Sequence, residues 1–315
     1  MTLEQSDVVN GKVVTKNVAE FEIRGVNCLD WNDNILALGH ELGVTVLSPS
    51  LNSSNQWSFE KSYEYLRKPV LKLRFRGSKI AAVHADRTIS EISLSSDPSL
   101  PNALLKLGGS LGHQSFINDV DISPQGYIAS TGDDKKLILW TDGQPTAPYR
   151  LASPGLAVKF WEDQDSDRLL VLEEGNKIRI FDWRKGQWVV TVFVGPEASI
   201  KGMGIYDGDI IAIGQGWWKS YHLPSLKGGA GYTFTYDDGA HVGGTSTDLV
   251  AYSNSRYVAY GSPSGVIFHD IGNAGEHGVK TEFDLSTEIQ AIALRSQGDL
   301  CALSTATGVY LFKKL

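Results

Sequence analysis

Three side chains of the kinds used by serine hydrolases occur close together in the middle of the chain. They are His113, Ser130 and Asp134, and Trp140 follows shortly after them. A histidine hydrogen-bonded to both a serine and an aspartate can activate the serine hydroxyl as a nucleophile. The sequence around these residues shows whether they are better explained as a catalytic group or as part of the fold.

The group lies within a run of short apolar segments separated by turn residues. The segments are Phe116–Ser123, Tyr127–Thr131 and Lys136–Trp140, and the turns between them are Pro124-Gln125-Gly126 and Gly132-Asp133-Asp134-Lys135. Apolar runs bounded by Gly, Pro and Asp clusters are typical of antiparallel strands joined by tight turns. The segment predicts three consecutive strands.

Similar groups of three strands recur along the whole chain. The third strand of each group ends on an apolar residue, at intervals of 40 to 48 residues: Leu47, Ile92, Trp140, Phe181, Tyr221, Phe268 and Phe312. A repeat of this length with strand-rich content is typical of β-propeller blades that have four strands each. The period predicts seven blades and an all-β fold.

The central repeat resembles one repeat of the WD-repeat family. It has a Gly-His pair at Gly112-His113, the turn aspartate Asp134 and the closing Trp140. In that family the His, the second-strand Ser, the turn Asp and the third-strand Trp form a hydrogen-bonded chain across the blade. The resemblance thus implies that His113, Ser130, Asp134 and Trp140 form a structural network rather than a hydrolase triad.

The two ends of the sequence predict how the propeller closes. The seventh repeat supplies only three strands, and the run Val13–Ile23 precedes the first repeat without a place in it. We expect Val13–Ile23 to be the outer strand of the last blade, which removes an unpaired edge. The predicted organisation is an N-terminal tail over residues 1–12 and a single seven-bladed WD-repeat β-propeller domain over residues 13–315.

Charge and cysteine content limit the classes of partner. The net charge is −7, and no Lys/Arg cluster exceeds short mixed stretches such as Arg67-Lys68. Binding of nucleic acid or an anionic membrane needs a concentrated positive field, so neither is expected. Cys28 and Cys301 each lie in an apolar run, which predicts buried thiols in an intracellular protein; the alternative is a disulfide that joins the two. No apolar run approaches the length of a membrane span, and no secretory signal is recognised.

Other motifs that can carry chemistry are incomplete here. The loop Gly228-Gly229-Ala230-Gly231 lacks the Lys-Ser/Thr of a phosphate-binding loop. The histidines outside the central repeat show no metal-ligand spacing. We therefore expect no enzymatic activity, no cofactor and no metal, and we expect a monomeric propeller that works within a hetero-complex.

Two short motifs are candidates for partner binding. Phe181-Asp182-Trp183-Arg184 resembles the aromatic-Asp-x-Arg box of WD proteins that dock on the adaptor of cullin-type ubiquitin ligases. The alternative is an ordinary strand end followed by a basic turn residue. At Trp217-Trp218, neighbouring strand residues point to opposite faces, so one Trp is expected in the blade core. The other faces outward as a binding hot spot or packs between blades.

The stretch from Gly112 to Val190 resembles one group of WD proteins more closely. Gly112–Asn118 reads Gly-His-x-x-Phe-Ile-Asn, and Ser153-Pro154-Gly155 stands where the next repeat normally carries its Gly-His. This order is similar to the WD-repeat nucleoporins of the thirty-seven-kilodalton type, which belong to the Y-shaped outer-ring complex of the nuclear pore. The resemblance implies a scaffold at the nuclear envelope that binds a large outer-ring nucleoporin. The ligase box implies the alternative, a substrate receptor of a cullin-type ubiquitin ligase.

Overall fold

The structure is a computed structural model. It describes residues 8–9, 12–13, 17–33, 35–51, 57–66, 68–94, 103–161, 167–193, 200–206, 208–214, 217–222, 235–238, 250–252, 257–262, 265–270, 279–282, 289–295 and 300–313. Within these ranges every element of regular secondary structure is a β-strand. Contacts group the chain into two compact units. Unit 1 comprises Met1–Arg24, Leu51–Ser58 and Ala198–Leu315, and unit 2 comprises Gly25–Ser50 and Phe59–Glu197.

Unit 2 contains four antiparallel sheets, each built from strands that are consecutive in the chain. Only Leu51 and Trp57-Ser58, at the ends of two strands of the first sheet, are grouped with unit 1. The first sheet is β4 (Val26–Asn32), β5 (Ile35–His40), β6 (Gly43–Leu51) and β7 (Trp57–Leu66). The second is β8 (Lys72–Arg76), β9 (Lys79–Val83), β10 (Ile89–Ser93) and β11 (Ala103–Leu107). The third is β12 (Ile117–Ile122), β13 (Ile128–Gly132), β14 (Lys136–Thr141), β15 (Gln144–Pro145) and β16 (Tyr149–Arg150). The fourth is β17 (Gly155–Phe160), β18 (Arg168–Glu173), β19 (Lys177–Asp182) and β20 (Gln187–Phe193).

The core of unit 2 lies at the seams between neighbouring sheets. Successive residues of a strand point to opposite faces of its sheet, and here apolar residues on both faces are buried. Cys28 and Val44 of the first sheet pack with Leu73 of the second. Trp140 of the third sheet belongs to the cluster shared with the second. Phe181 of the fourth sheet belongs to the cluster shared with the third. Each sheet therefore depends on its neighbours for burial.

Unit 1 contains three four-stranded antiparallel sheets and a short hairpin among the described residues. The hairpin pairs β1 (Val8–Val9) with β2 (Lys12–Val13). One sheet consists of β21 (Ile200–Tyr206), β22 (Asp209–Gly214), β23 (Trp217–His222) and β24 (Thr235–Asp238). The next consists of β25 (Val250–Tyr252), β26 (Tyr257–Ser262), β27 (Gly265–Asp270) and β28 (Val279–Glu282). The last consists of β29 (Ile289–Leu294), β30 (Leu300–Thr305), β31 (Val309–Lys313) and β3 (Asn17–Phe21).

The last sheet confirms the predicted closure by an N-terminal strand. Strand β3 runs antiparallel to β31, with Phe21 opposite Val309 and Asn17 opposite Phe312. The strand is shorter than the predicted run Val13–Ile23, since Lys12 and Val13 belong to the hairpin. The boundary between a tail and a propeller domain at residues 12 and 13 remains a prediction.

Two outer strands differ from the sequence prediction. Strand β11 completes the second sheet; the four-stranded repeat requires such a strand, but no segment was assigned to it from the sequence. The outer strand of the third sheet is split into β15 and β16, which pair with opposite ends of β14. Pro145 and Pro148 flank the interruption, and proline lacks the N–H that a continuous ladder requires.

Candidate functional site

The four side chains of the central repeat form one continuous hydrogen-bonded chain. His113 precedes β12, Ser130 lies in β13, Asp134 lies in the β13–β14 turn and Trp140 lies in β14. His113 Nδ1 is 2.9 Å from Asp134 Oδ1, and His113 Nε2 is 2.8 Å from Ser130 Oγ. Trp140 Nε1 donates to the same Ser130 Oγ at 2.8 Å.

The proton positions in this chain follow from its two ends. Trp140 N–H can only donate, so Ser130 Oγ accepts it and turns its own hydrogen to His113 Nε2. His113 Nδ1 then carries the hydrogen that is donated to Asp134. Ser130 is fully buried, at 0% exposure, so its oxygen has no face open to a substrate. The arrangement fits a structural network and does not fit a nucleophile.

Asp134 is held as a carboxylate by this network. Burial acts to raise its pKa, but hydrogen bonds from His113 and from the backbone N–H of Gln114 outweigh burial. The net result is a pKa below the ordinary value for an aspartate. The Gln114 N–H lies 2.9 Å from Asp134 Oδ2, so Asp134 also ties the β13–β14 turn to the segment that enters β12.

The first two sheets contain related histidine contacts that the sequence analysis did not identify. His40 ends β5, and its Nε2 lies 2.9 Å from Thr45 Oγ1. His84 directly follows β9, and its Nε2 lies 2.8 Å from Ser90 Oγ. Burial lowers the pKa of both histidines, which favours their neutral forms at neutral pH. A His at the end of the second strand, with a hydroxyl five or six residues later, was the available sequence signal.

In the fourth sheet a glutamate occupies the position that histidine has in the first two sheets. Glu173 ends β18 and is 0% exposed. Its Oε2 accepts the backbone N–H groups of Ala152 at 2.9 Å and Ser153 at 3.0 Å. Its Oε1 lies 3.0 Å from the guanidinium of Arg179. The carboxylate therefore fixes the backbone at the start of the Ser153-Pro154-Gly155 segment, in the place where the first two sheets have a histidine.

The third residue of that segment has a separate steric role. A Cβ at Gly155 would overlap Thr131 Oγ1 and would come within 2.8 Å of Leu151. Asn118 Nδ2 donates to the carbonyl oxygen of Gly155 at 2.9 Å. The third and fourth sheets therefore approach each other closely at this point, and the segment needs glycine there.

Carboxylates on the first strands of the first and third sheets connect neighbouring sheets of unit 2. Asp30 Oδ2 accepts the Phe75 N–H at 2.8 Å, and Asp121 Oδ2 accepts the Phe160 N–H at 2.7 Å. Burial raises the pKa of both Asp30 and Asp121. Asp119 lies 3.2 Å from the guanidinium of Arg74, and this ion pair joins the second and third sheets. These charges are engaged in the architecture of unit 2.

The predicted adaptor-docking box is only partly accessible. Phe181 is fully buried, with its ring centroid 4.4 Å from that of Tyr149. Asp182 accepts the backbone N–H of Lys185 at 2.9 Å, and this contact helps to lower its pKa although burial opposes the change. The Arg184 side chain is 60% exposed and lies 2.6 Å from Asp167. Only Arg184 is thus placed for contact with a partner.

The tryptophan pair lies on β23 in unit 1. Trp217 is opposite Gly214 and Trp218 is opposite Ile213 in the ladder with β22. Their side chains lie outside the described residues, so the assignment of one Trp to the core and one to a surface or blade contact remains a prediction.

The two cysteines are free and buried. Burial raises the pKa of Cys28 to about 12 and also raises that of Cys301. Within the described ranges, no group of three or more His, Cys, Asp or Glu side chains is positioned to bind a metal ion. The same ranges contain no helix that is long and apolar enough to cross a membrane.

Comparison with known proteins supports the fold more strongly than any particular role. No protein-family model matches the chain. An uncharacterised WD repeat-containing protein of Schizosaccharomyces pombe is 31% identical over 188 residues, which cover 48% of this chain and 47% of that protein. Nucleoporin Nup37 of Mus musculus is 33% identical over 84 residues, 26% of each chain. The chain thus spans about half the length of the first relative and about a quarter of the second.

A solved structure covers almost the entire chain. The β-propeller domain of Cps50 (Swd1) from Myceliophteria thermophila superimposes with a TM-score of 0.73, covering 96% of this chain and 100% of that domain. The two sequences are 14% identical, so the likeness concerns the fold alone. Together with the seven sheets, the closing N-terminal strand and the WD-type hydrogen-bonded chain, it establishes that this protein is a seven-bladed WD-repeat β-propeller.

Proposed function

We propose that this chain is a non-enzymatic scaffold subunit of the nuclear pore outer ring, which docks on a large α-helical nucleoporin of the Y-shaped complex. The observation that carries the proposal is the 33% identity to nucleoporin Nup37 over 84 residues. In this role the protein supports nucleocytoplasmic transport, including that of mRNA and protein, by holding a neighbour in place. Its expected location is the nuclear envelope.

The side-chain chemistry of unit 2 agrees with a scaffold. The groups that resemble catalytic residues are hydrogen-bonded within the blades, and Ser130 is closed to solvent. Glu173, which has the appearance of an isolated buried acid, is engaged by two backbone N–H groups and by Arg179. Such networks rigidify a framework, and a rigid framework suits a docking platform.

The second candidate function is a substrate receptor of a cullin-type ubiquitin ligase. Its support is the exposed Arg184 at the end of the aromatic-Asp-x-Arg box. The other members of the box argue against it as a contact surface, because Phe181 is buried and Asp182 is engaged by Lys185.

Affinity purification of the tagged chain from its source cells, with identification of the partners, tests both candidates. Large helical outer-ring nucleoporins in the eluate, together with a nuclear-rim signal for the fluorescent fusion, are expected. A ligase adaptor in their place would overturn the nucleoporin proposal.

The variant Arg184→Ala separates the two functions further, with Lys185→Ala as the neighbouring control. We expect Arg184→Ala to leave the nucleoporin partners bound. Selective loss of a ligase adaptor with Arg184→Ala, and not with Lys185→Ala, would instead support the receptor function.

A further inference from the structure

One end of unit 2 carries all of the large exposed apolar side chains among the residues whose side chains the structure describes. We call it the entry end, because the first strand of each sheet begins there. The exposed residues are Leu42, Leu71, Leu111, Phe116 and Leu156, of which Leu42 is 66% and Phe116 58% exposed. Single exposed apolar residues scattered over a surface are ordinary. Their restriction to one end of four adjacent sheets is not scatter.

Hydrogen bonds show that these residues follow the seams between the sheets. Val70 N–H donates to His40 O at 3.1 Å, which brings the segments carrying Leu42 and Leu71 together at the first seam. Arg87 donates to the carbonyl oxygen of Gln114 at 3.0 Å and links the second sheet to the loop that carries Leu111 and Phe116.

The third seam continues the same series. Asn118 donates to Gly155 O at 2.9 Å and places the start of β12, just after Phe116, beside the start of β17, which carries Leu156. The exposed apolar residues therefore form a series that crosses all three seams of unit 2.

A single α-helix can contact successive seams, because its side chains repeat at about the distance that separates packed sheets. Sheets that pack face to face lie about 10 Å apart, and two turns of an α-helix rise about 11 Å. A helix that carries an apolar side chain at every seventh residue can therefore place one side chain at each successive seam.

The charges at the entry end indicate which charged residues a bound helix would carry beside its apolar side chains. The exposed cations there are Lys72, Arg87, Lys106, Lys135 and Arg150. Of the exposed carboxylates at this end, Asp86 forms an ion pair with Lys68 at 2.9 Å and Glu64 forms one with Lys61. The remaining exposed carboxylates, Glu41, Asp133 and Glu174, face the five cations. On a chain of net charge −7, this end is positive.

We propose that the entry end of unit 2 is a docking surface for an amphipathic α-helical segment of a second protein, one with an apolar residue at every seventh position and carboxylates beside the apolar stripe. The inference rests on the proposed function in that it assumes a helical protein partner. It adds the face that binds and the chemistry of the segment that is bound.

Site-specific photocrosslinking in the full chain, expressed in its source cells, tests the surface without assuming the name of the partner. A benzoylphenylalanine replaces Leu111, Phe116 or Leu156 in three variants. It replaces Gln125 or Thr141, exposed residues at the opposite end of the third sheet, in two controls. We expect adducts from the first three positions and not from the controls. The adducts should map to a helical segment with the stated pattern.

Other adducts would overturn the proposal, and the partner's identity is a separate result. Adducts to nucleic acid, to a second copy of this chain or to another segment of the same chain contradict the docking surface, as does the absence of adducts at the entry end. A helical acidic partner that is not a nucleoporin upholds the surface and refutes the proposed function. A nucleoporin crosslinked only from the control positions upholds the function and refutes the surface.

The crosslinked segment, synthesised as a labelled peptide, then provides a quantitative test by fluorescence anisotropy. The double variant L111D/F116D is expected to weaken binding at least tenfold, since exposed apolar anchors contribute most at the centre of an interface. The matched double variant Q125D/T141D should bind as the wild type does. Equal affinity for both double variants would contradict the proposal.

A second variant keeps this test decisive if L111D/F116D fails to fold. K135E changes an exposed turn side chain and should weaken binding several-fold at low salt, with the difference shrinking as NaCl is added. Affinity unchanged by K135E at low salt would contradict the predicted acidic flank.

Discussion

Glu173 offers the sharpest test of how unit 2 is held together. The change Glu173→Ala removes the acceptor of two backbone N–H groups, those of Ala152 and Ser153, and the partner of the Arg179 guanidinium. Arg179 is itself largely buried, with 17% of its side chain exposed. It stays in place because its guanidinium lies 3.6 Å from the centre of the Trp188 ring. The change therefore leaves a buried cation without its carboxylate.

The expected cost follows from those losses. Breaking a buried ion pair by removing one partner costs about 3–5 kcal/mol, because the remaining charge is uncompensated. The loss of the acceptor for two backbone N–H groups adds to this cost. We therefore expect Glu173→Ala to lower the free energy of unfolding by at least about 3 kcal/mol. The change Glu173→Gln keeps one acceptor oxygen but loses the charge, and it should cost about 1.5–3 kcal/mol, the worth of a hydrogen bond to a charged group.

Urea unfolding followed by circular dichroism measures both costs, and the chain offers a matched control. Glu174 is the next residue and is exposed, so Glu174→Ala should lie within about 0.5 kcal/mol of the wild type. The double variant E173Q/R179M removes both charges and should cost less than the sum of its two single changes. A Glu173→Ala curve that overlays the Glu174→Ala curve would refute the assignment of Glu173 as the support of the fourth sheet.

Further predictions concern the central network, the closing strand and the thiols. Trp140→Ala should cost about 3–5 kcal/mol and Asp134→Ala about 1–3 kcal/mol; urea curves that match the wild type would refute the network's role in stability. Because the pKa of Asp134 is lowered in the fold, its stabilising contribution is present above the unfolded pKa and is lost as the pH falls through the folded value. Asp134→Asn should therefore flatten the loss of stability below about pH 4. Deleting residues 1–24 removes β3 and should lower the melting temperature and solubility, whereas deleting residues 1–9 should change little; an unchanged melting temperature for the longer deletion contradicts the closure by β3. Cys28, with its pKa raised to about 12, should not react with Ellman's reagent at pH 8 in the folded chain and should react in urea; rapid reaction of the native protein would show that the thiol is accessible.

The strands and their period were predictable because they depend on local patterns. Alternating apolar residues and turn residues locate strands such as β12 and β13 without knowledge of their neighbours. Strand β11 was missed because Ala103–Leu107 contains no β-branched or aromatic residue, and these are the usual strand signals. The pairing of β3 with β31 was predictable because the seventh repeat lacked an outer strand and the run Val13–Ile23 had no place in the first repeat.

The role of Glu173 and the exposure of the apolar residues at the entry end could not be predicted from the sequence. Both depend on contacts between segments that are distant in the chain. A glutamate at a strand end has the appearance of a surface residue until the fold places it below Ala152 and Ser153. Leu111 and Phe116 resemble core residues in the sequence, and only the packing of adjacent sheets shows that they are exposed. The His113 network was accessible from sequence because all four of its members lie within one repeat.

The pairing of β3 with β31 determines when the last sheet can form during protein synthesis. Strand β3 leaves the ribosome early, but its partner follows roughly 290 residues later, which takes about 15–60 s at 5–20 residues per second. Throughout that time β3 presents unpaired backbone groups, while the four sheets of unit 2 can already form from consecutive strands. An unpaired strand is a target for chaperones and for aggregation. A chain that stops before β31 therefore leaves the edge of β3 exposed, and that exposure favours aggregation.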